Sequence, residues 1–432
     1  MSIPLDRLYH YIENVADDTF SGTVVIYRFF PHGSKKLEDF KKLKVRGSWD
    51  HESLSPHMYC NDQEPLDFDA YNTRPASSTF AKLFPSLAIP PRYDNFAIGN
   101  NASDCKFLLH SEQKSAQLEL YKNKNFIPVY YWSHALIARD WFRYAEHIEL
   151  KKSVKHTFLV YNRAWSNTRE YRLKFAELLV RLGLENQCLM NISPVEPELA
   201  IHYDQHQFKN DSWRPTQVIE DFFPVSTAHS HYSADFDQTD YNQTDIEVVL
   251  ETLFDDSRLH LTEKILRPIA LGQPFILAST CGSLEYLRSY GFKTFMHLWD
   301  ERYDTIKDPQ ERLIVIANLM RRIANRTPEE RANTLLQAQT IADYNRQHFF
   351  SKKFFNQIVD ELVKNMQNGF NEYTCRTNYK PWLDRWDHLL SFPEIKQFLN
   401  QPHPANMPTT TKLEQVYATA MNHYMRSLHP KE

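Results

Sequence analysis

Three consecutive residues, Thr262-Glu263-Lys264, place a hydroxyl, a carboxylate and an ammonium at the start of an apolar stretch. Threonine is a favoured helix N-cap, and the turn behind such a cap presents orphan N–H groups and the positive end of the helix dipole. A phosphate can dock at that point, with Lys264 as its charge partner and Glu263 turned to the hydroxyls of a sugar or ribose. The plainer reading is a surface helix that buries Ile265, Leu266, Ile269 and Ala270 and carries Glu263 and Lys264 as solvated charges. Local features support the two readings about equally.

A second set of charges lies in Tyr161–Arg172, YNRAWSNTREYR, where an apolar run gives way to a helical pattern. Guanidinium groups hold a pyrophosphate through paired hydrogen bonds, so Arg163 and Arg169 are candidate phosphate ligands. Arg172 is assigned instead to a salt bridge with Glu170 or Glu177 on the same helix. A third set follows a short apolar strand, at Asn61-Asp62-Gln63-Glu64-Pro65. A carboxylate of raised pKa at a strand end can take a proton from a hydroxyl, which makes Asp62 and Glu64 candidate general bases. An Asx-type turn closed by Pro65 explains the same residues. Glu112, at a further strand end, and Ser133 and His134, at another, are candidate acceptor contacts, with His134 also a second-rank base. His202, His206, His229 and His231 are irregularly spaced among polar neighbours, so they read as solvated histidines and no metal site is expected.

Such groups can meet only if the chain brings strand ends together. Gly22–Phe30, Met58–Cys60, Lys106–His110 and Phe126–Trp132 read as strands, with helices over Ser115–Lys124 and Ala135–Ile148. After a basic seam at Lys151, Lys152 and Lys155 the pattern restarts. His156–Tyr161, Cys188–Ile192, Ile246–Leu250, Pro274–Ala278 and Thr294–Leu298 read as strands, and Thr168–Leu182, Thr262–Leu271 and Ser283–Tyr290 as helices. Alternation of this kind predicts an α/β protein of two Rossmann-like units, in which strand ends face a ligand crevice. The polar stretch Ile201–Asp245 is long enough to be a lid or an acceptor loop. From Asp308 onward the pattern is helical, with candidates at Glu311–Asn325, Pro328–Phe349, Lys353–Met366, Trp382–Asn400 and Thr411–Leu428.

Composition removes several function classes. Fifty Lys and Arg against 54 Asp and Glu give a formal charge of −4, so the surface as a whole lacks the positive field of a general nucleic-acid binder. Nine glycines leave no GxGxxG fingerprint and no P-loop, which argues against a nicotinamide dehydrogenase or an ordinary ATPase. The five scattered cysteines have no zinc spacing and suit free thiols in a reducing compartment. With neither a signal-peptide pattern nor an apolar run of about 18 residues, the expectation is a cytoplasmic protein, or one of the host cytoplasm if viral, with no membrane partner.

The segment Glu247–Asp304 resembles the donor-binding motif of the α1,3-fucosyltransferase family and related two-Rossmann (GT-B) glycosyltransferases. The specific part is a strand ending in Glu, a variable loop, T-E-K, an apolar helix and G-Q-P-F-I, within about 60 residues. Carried over by position, the resemblance implies that Glu263 contacts ribose or sugar, that Lys264 contacts the diphosphate and that Glu251 lies near the sugar or base. Leu253-Phe254-Asp255-Asp256 replaces the Asn-rich stretch usual before the motif, so fucose itself is not implied. The implied architecture is an acceptor domain over 1–150, a donor domain over 151–365, a deep cleft between them, and a helical extension over 366–432 that packs across both. The implied donor is a nucleotide-diphosphate sugar, used without a resident cofactor.

The acceptor is harder to read. Ser34–Arg46 holds six positive and two negative side chains, and Lys41, Lys42 and Lys44 within it suit a DNA backbone. An amphipathic helix with a solvated basic face explains the same residues, and it is the more common origin of such a run. The segments NDQEPL, YYWSHALIARDWFRYAEH and YNRAWSNTREYRLKF resemble a set of glycosyltransferase-like bacteriophage proteins, which implies a hydroxymethylated pyrimidine in phage DNA as acceptor. Two alternatives stand beside it: an enzyme acting on a cell-surface or capsular glycan, and a non-catalytic binding or virion protein with a GT-B shell. A monomer or homodimer is expected.

Overall fold

The computed structural model describes residues 25–28, 57–60, 65, 66, 68 and 105–377, apart from 191, 197, 198, 217–234 and 256. Strands β1 (Val25–Arg28), β2 (His57–Cys60), β3 (Lys106–His110) and β4 (Phe126–Tyr130) form a parallel sheet in that order. Pro128 has no N–H to give a ladder, and it sits in β4, the last strand of the order, where an edge tolerates it. Helix α1 (Gln117–Lys122) links β3 to β4, and α2 (Ser133–Trp141) follows β4.

The second sheet contains β5 (His156–Val160) and β6 (Cys188–Met190), with α3 (Tyr171–Arg181) between them. A two-residue antiparallel ladder of β7 (Val195–Glu196) and β8 (Ile201–His202) comes next, then α4 (Gln238–Asn242), β9 (Thr244–Leu250), α5 (Glu263–Leu271) and β10 (Phe275–Ala278). The sheet is parallel with order β10-β9-β5-β6. Its apolar runs, Phe158–Val160, Val248–Leu250 and Phe275–Ala278, are buried throughout, as strands covered on both faces must be. The chain leaves β5 toward β6 and later returns to the other side of β5 as β9. Strand order therefore reverses between β5 and β9, and the crevice beyond their carboxyl ends is the position where such sheets bind ligands.

The remaining α-helices among the described residues are α6 (Ser283–Ser289), α7 (Pro309–Ala324), α8 (Pro328–Phe350) and α9 (Lys352–Thr377). Asp308 caps α7 ahead of Pro309, and Thr327 with Glu330 forms a capping box on α8. Helix α9 returns to cover β4. Gly369 makes that approach possible, since a Cβ there would lie 3.1 Å from Val129 Cγ2 and 3.4 Å from Ile127 and Phe107. Phe107 and Val129 of the first sheet and Phe158, Val248 and Ile276 of the second belong to one continuous buried cluster.

Most predicted elements recur with ends moved by a few residues, and two differ in kind. Thr294–Leu298 is not a strand. The Lys293 N–H bonds Asn345 Oδ1 at 2.8 Å, the Phe295 N–H bonds Glu301 Oε1 at 2.7 Å, and the Phe295 ring stacks on Trp299, so side chains satisfy the donors that a sheet neighbour would take. The helix expected over Ala135–Ile148 runs instead over Ser133–Trp141, followed by a short 3-10 turn at Ala145–His147. The expected boundary at 365/366 falls inside α9. Residues 201–216 are fastened down: Glu170, just before α3, accepts the N–H groups of Lys209 and Asn210, and the buried Trp213 donates to Asp255 in the loop after β9. The helices expected over Trp382–Asn400 and Thr411–Leu428 lie outside the described residues. Among the described residues no helix is long and apolar enough to cross a membrane.

Candidate functional site

The carboxyl ends of the two sheets meet. Beyond β3 and β9, Gln113 and Leu259 exchange both backbone hydrogen bonds, at 2.9 and 2.8 Å. Beside this bridge the buried Glu112 carboxylate accepts the Leu66 N–H at 2.6 Å and the Arg258 guanidinium at 3.1 Å. Arg258 also donates to the Leu66 carbonyl at 2.7 Å. Trp132, just after β4, donates its indole N–H to the Leu261 carbonyl at 2.8 Å. Glu112 thus ties a loop of the first sheet to a loop of the second, and it is only 1% exposed.

Past this bridge Thr262 opens α5, whose start is held from below by Glu251 at the end of β9. The Thr262 hydroxyl donates to Glu251 Oε2 at 2.7 Å, the Thr262 N–H to Oε1 at 3.1 Å and the Thr252 N–H to Oε2 at 3.2 Å. Glu251 is completely buried, so its carboxylate orients the helix start. Thr262 caps α5 as its sequence suggests, and Gly272, with φ of 68°, ends it in the left-handed conformation that glycine accepts without strain. The Lys264 ammonium donates to Thr262 Oγ1 at 3.0 Å, Glu263 Oε1 at 3.1 Å and Thr252 Oγ1 at 3.3 Å. The other Glu263 oxygen lies 3.1 Å from His134 Nδ1, on the first turn of α2.

The structure therefore joins two residues expected on opposite sides of a crevice. His134 and Glu263 are both nearly buried and form one polar contact with Lys264. Glu263 is not the solvated surface charge of the plainer reading. Ser133, placed by the early start of α2 inside its first turn, is wholly buried.

Arg163 is exposed and Arg169 half-buried, both on the loop from β5 to α3 at the switch point. Arg172 departs from its expected salt bridge. Its guanidinium is buried and donates to the carbonyls of Ala164, Leu250 and Glu251 at 2.6, 2.7 and 3.1 Å and to Asn162 Oδ1 at 3.1 Å. It closes strand-end carbonyls that have no ladder partner. Glu170 pairs with His206 instead, and Glu177 with Lys174 and Arg181. Asp62, Glu64, Lys41, Lys42 and Lys44 lie outside the described residues, as do His229 and His231. Among the described residues no cluster of His, Cys, Asp and Glu is arranged to hold a metal ion.

Sequence reasoning passes over the centre of this junction, His260. Its ring is 1% exposed, meets the His134 ring edge-to-face at 5.2 Å and lies beside the Ser111 carbonyl, yet neither ring nitrogen reaches a partner in good hydrogen-bond geometry. The buried Ser111 hydroxyl likewise has no partner. Burial, then the neighbouring His134, Lys264 and Arg258, hold the His260 pKa well below the ordinary histidine value. Burial also lowers His110, at the end of β3, to about 3. A signal for His260 exists in the alternation Arg258-Leu259-His260-Leu261, whose leucines are buried, but alternation alone does not say that both faces are covered.

Chemically, the start of a nine-residue helix with an ammonium held against it is an arrangement that can receive an anion. No family model matches the chain, and no curated protein or solved structure gives a significant match.

Proposed function

We propose that the chain is a glycosyltransferase that moves a sugar from a nucleotide-diphosphate sugar to an acceptor hydroxyl. One observation carries the reading: Thr262-Glu263-Lys264 begins α5 directly beyond the β5/β9 switch point, with Glu251 fixing the helix start and the Lys264 ammonium held against it. This is where the resemblance to the two-Rossmann glycosyltransferases expects a donor diphosphate. The two sheets are then the two halves of a GT-B arrangement, with the donor half formed around β5–β10.

In this reading the diphosphate lies between Lys264, the first amides of α5, Arg163 and Arg169. The bond between the anomeric carbon and the phosphate oxygen breaks, the diphosphate leaves with the electron pair, and these cations offset its growing charge. The acceptor oxygen attacks from the opposite face and inverts the anomeric centre, while Asp62 or Glu64 takes the hydroxyl proton. Glu251 acts as a positioning residue, and no metal takes part in the step. Glu112, Ser133 and His134 stand on the acceptor side. The acceptor assigned is a hydroxymethylated pyrimidine of DNA, supported by the sequence resemblance and by the basic stretch containing Lys41, Lys42 and Lys44.

The test is incubation of the purified protein with uridine-, guanosine- and cytidine-linked sugars and DNA containing hydroxymethylcytosine or hydroxymethyluracil, read by mass spectrometry of released nucleosides. The proposal expects a nucleoside heavier by one sugar, absent with Lys264→Ala. Unmodified nucleosides together with detectable donor binding would move the acceptor to a glycan, and absence of donor binding would remove the enzyme reading.

A further inference from the structure

The proposed donor reading gives Lys264 a phosphate but assigns nothing to His260, two residues before the T-E-K run. A neutral imidazole offers one N–H and one lone pair, and a buried ring ordinarily finds partners for both. His260 finds neither in good geometry, although it is 1% exposed. Ser111, whose carbonyl lies beside the ring, also has a buried hydroxyl without a partner among the described residues. His260 lies two positions before the N-cap of a nine-residue helix, so buried donors and an acceptor lie unused close to that helix start.

The charges around the ring define a suitable occupant. His134 of α2, Lys264 of α5 and Arg258 of the loop after β9 act on the ring, the Ser111 carbonyl lies beside it, and Glu263 and Glu112 pair with these neighbours. Both carboxylates in this group are already engaged, Glu263 with Lys264 and His134, and Glu112 with Arg258 and the Leu66 N–H. A protonated His260 therefore adds a cation where cations already gather. An entering oxyanion reverses the balance: it accepts from the ring N–H and the Ser111 hydroxyl, is attracted to Lys264, and makes the imidazolium the favoured form.

We infer that His260 and Ser111 form an oxyanion subsite at the start of α5, filled by a phosphate-type group that enters together with one proton on His260. The inference rests on the donor-site reading and deepens it by making donor-phosphate binding proton-coupled. It can be tested without nucleotide or sugar. Thermodynamic reciprocity requires that an anion which raises the ring's proton affinity bind more tightly as pH falls.

The probe is sulfate, which stays fully ionised near neutral pH, so any proton taken up belongs to the protein. The full chain is titrated with sodium sulfate against sodium chloride at matched ionic strength, and the His260 ring carbon-bound proton is followed by NMR. In chloride the ring is expected to stay neutral to well below pH 6.5. In sulfate its titration midpoint should rise by at least about one pH unit, and sulfate affinity should increase about tenfold per unit fall in pH across that interval. His260→Gln should bind sulfate with no such slope, and the NMR titration of the unmodified chain serves even if that variant fails to fold. A titration midpoint unchanged by sulfate overturns the inference. If sulfate shifts α5 amides while His260 stays unmoved, the inference falls and the phosphate reading at Lys264 survives alone. If His260 responds to sulfate but no nucleotide-sugar binds, the subsite stands and the glycosyltransferase reading falls.

Discussion

Two polar junctions join the same pair of sheets, and they are built to opposite rules. In the first, Tyr130 at the end of β4 meets the hydroxyls of Tyr286 on α6 and of Tyr290 just beyond it, the latter at 3.0 Å. Tyr290 donates in turn to Glu361 of α9 at 2.9 Å, and Glu361 also accepts the Trp132 N–H at 3.1 Å. Every hydroxyl in that network has a partner. In the second junction, around His260, polar groups equally buried are left without one. A satisfied network is what a structural joint requires, because each orphaned buried group costs about 1–3 kcal/mol. In the proposed reading, incomplete satisfaction around His260 is stability given up for binding.

The contrast predicts opposite responses to mutation. The largest stability loss is expected where the two kinds of interaction overlap. Glu263→Ala leaves Lys264 and His134 without their buried carboxylate, and urea unfolding should lose about 3 kcal/mol. Tyr290→Phe, at the satisfied junction, should cost about 1–2 kcal/mol, because Tyr130 and Glu361 each lose a partner. His260→Leu should instead gain about 1 kcal/mol near pH 7, since it removes an unsatisfied group while keeping an apolar body. A large loss from His260→Leu would show that the ring is structural and would erase the contrast.

The pH dependence separates the junctions further. The folded-state pKa of His260 is depressed, so the unfolded chain binds its proton more readily, and the folded chain loses stability as pH falls below about 6.5. His260→Leu should flatten that slope by up to about 1.4 kcal/mol per pH unit in thermal or urea unfolding. Glu361 has the opposite sign. Burial raises its folded-state pKa, so the folded chain gains as pH falls from that raised value toward the unfolded value of about 4.3. Glu361→Gln keeps an acceptor for Trp132 and Tyr290 without the buried charge. Its stability relative to the unmodified chain should therefore be higher at pH 7 than at pH 4, the smallest of these effects at about 1 kcal/mol.

How far the sequence anticipates this is uneven, for physical reasons. The strands are legible because a parallel strand buried on both faces leaves a continuous apolar run, as in Phe158–Val160 and Phe275–Ala278. The start of α5 is legible because capping is local: Thr262 and Gly272 announce both ends. Thr294–Leu298 misleads because its apolar residues pack as a stacked Phe295–Trp299 pair, with backbone donors closed by Asn345 and Glu301, and apolar spacing cannot tell that from a ladder. His134 and Glu263 both stand out in the sequence, but their contact joins distant parts of the chain and leaves no local trace. His260 escapes notice for the same reason, since its burial depends on α2 and on the end of β3 rather than on its neighbours in sequence. Arg172 reads as structural from sequence and is so, though its partners are strand-end carbonyls and not the acids beside it.

The central claim is that the start of α5 receives the diphosphate of a nucleotide-sugar. Isothermal titration of uridine, guanosine and cytidine diphosphates into the unmodified chain and into Lys264→Ala tests it most directly. One of the three nucleotides should bind, and the alanine variant should weaken it by about a hundredfold, the loss expected when a charge-assisted contact worth about 3 kcal/mol is removed. Binding that Lys264→Ala leaves unchanged, or no binding by any of the three, would contradict the account.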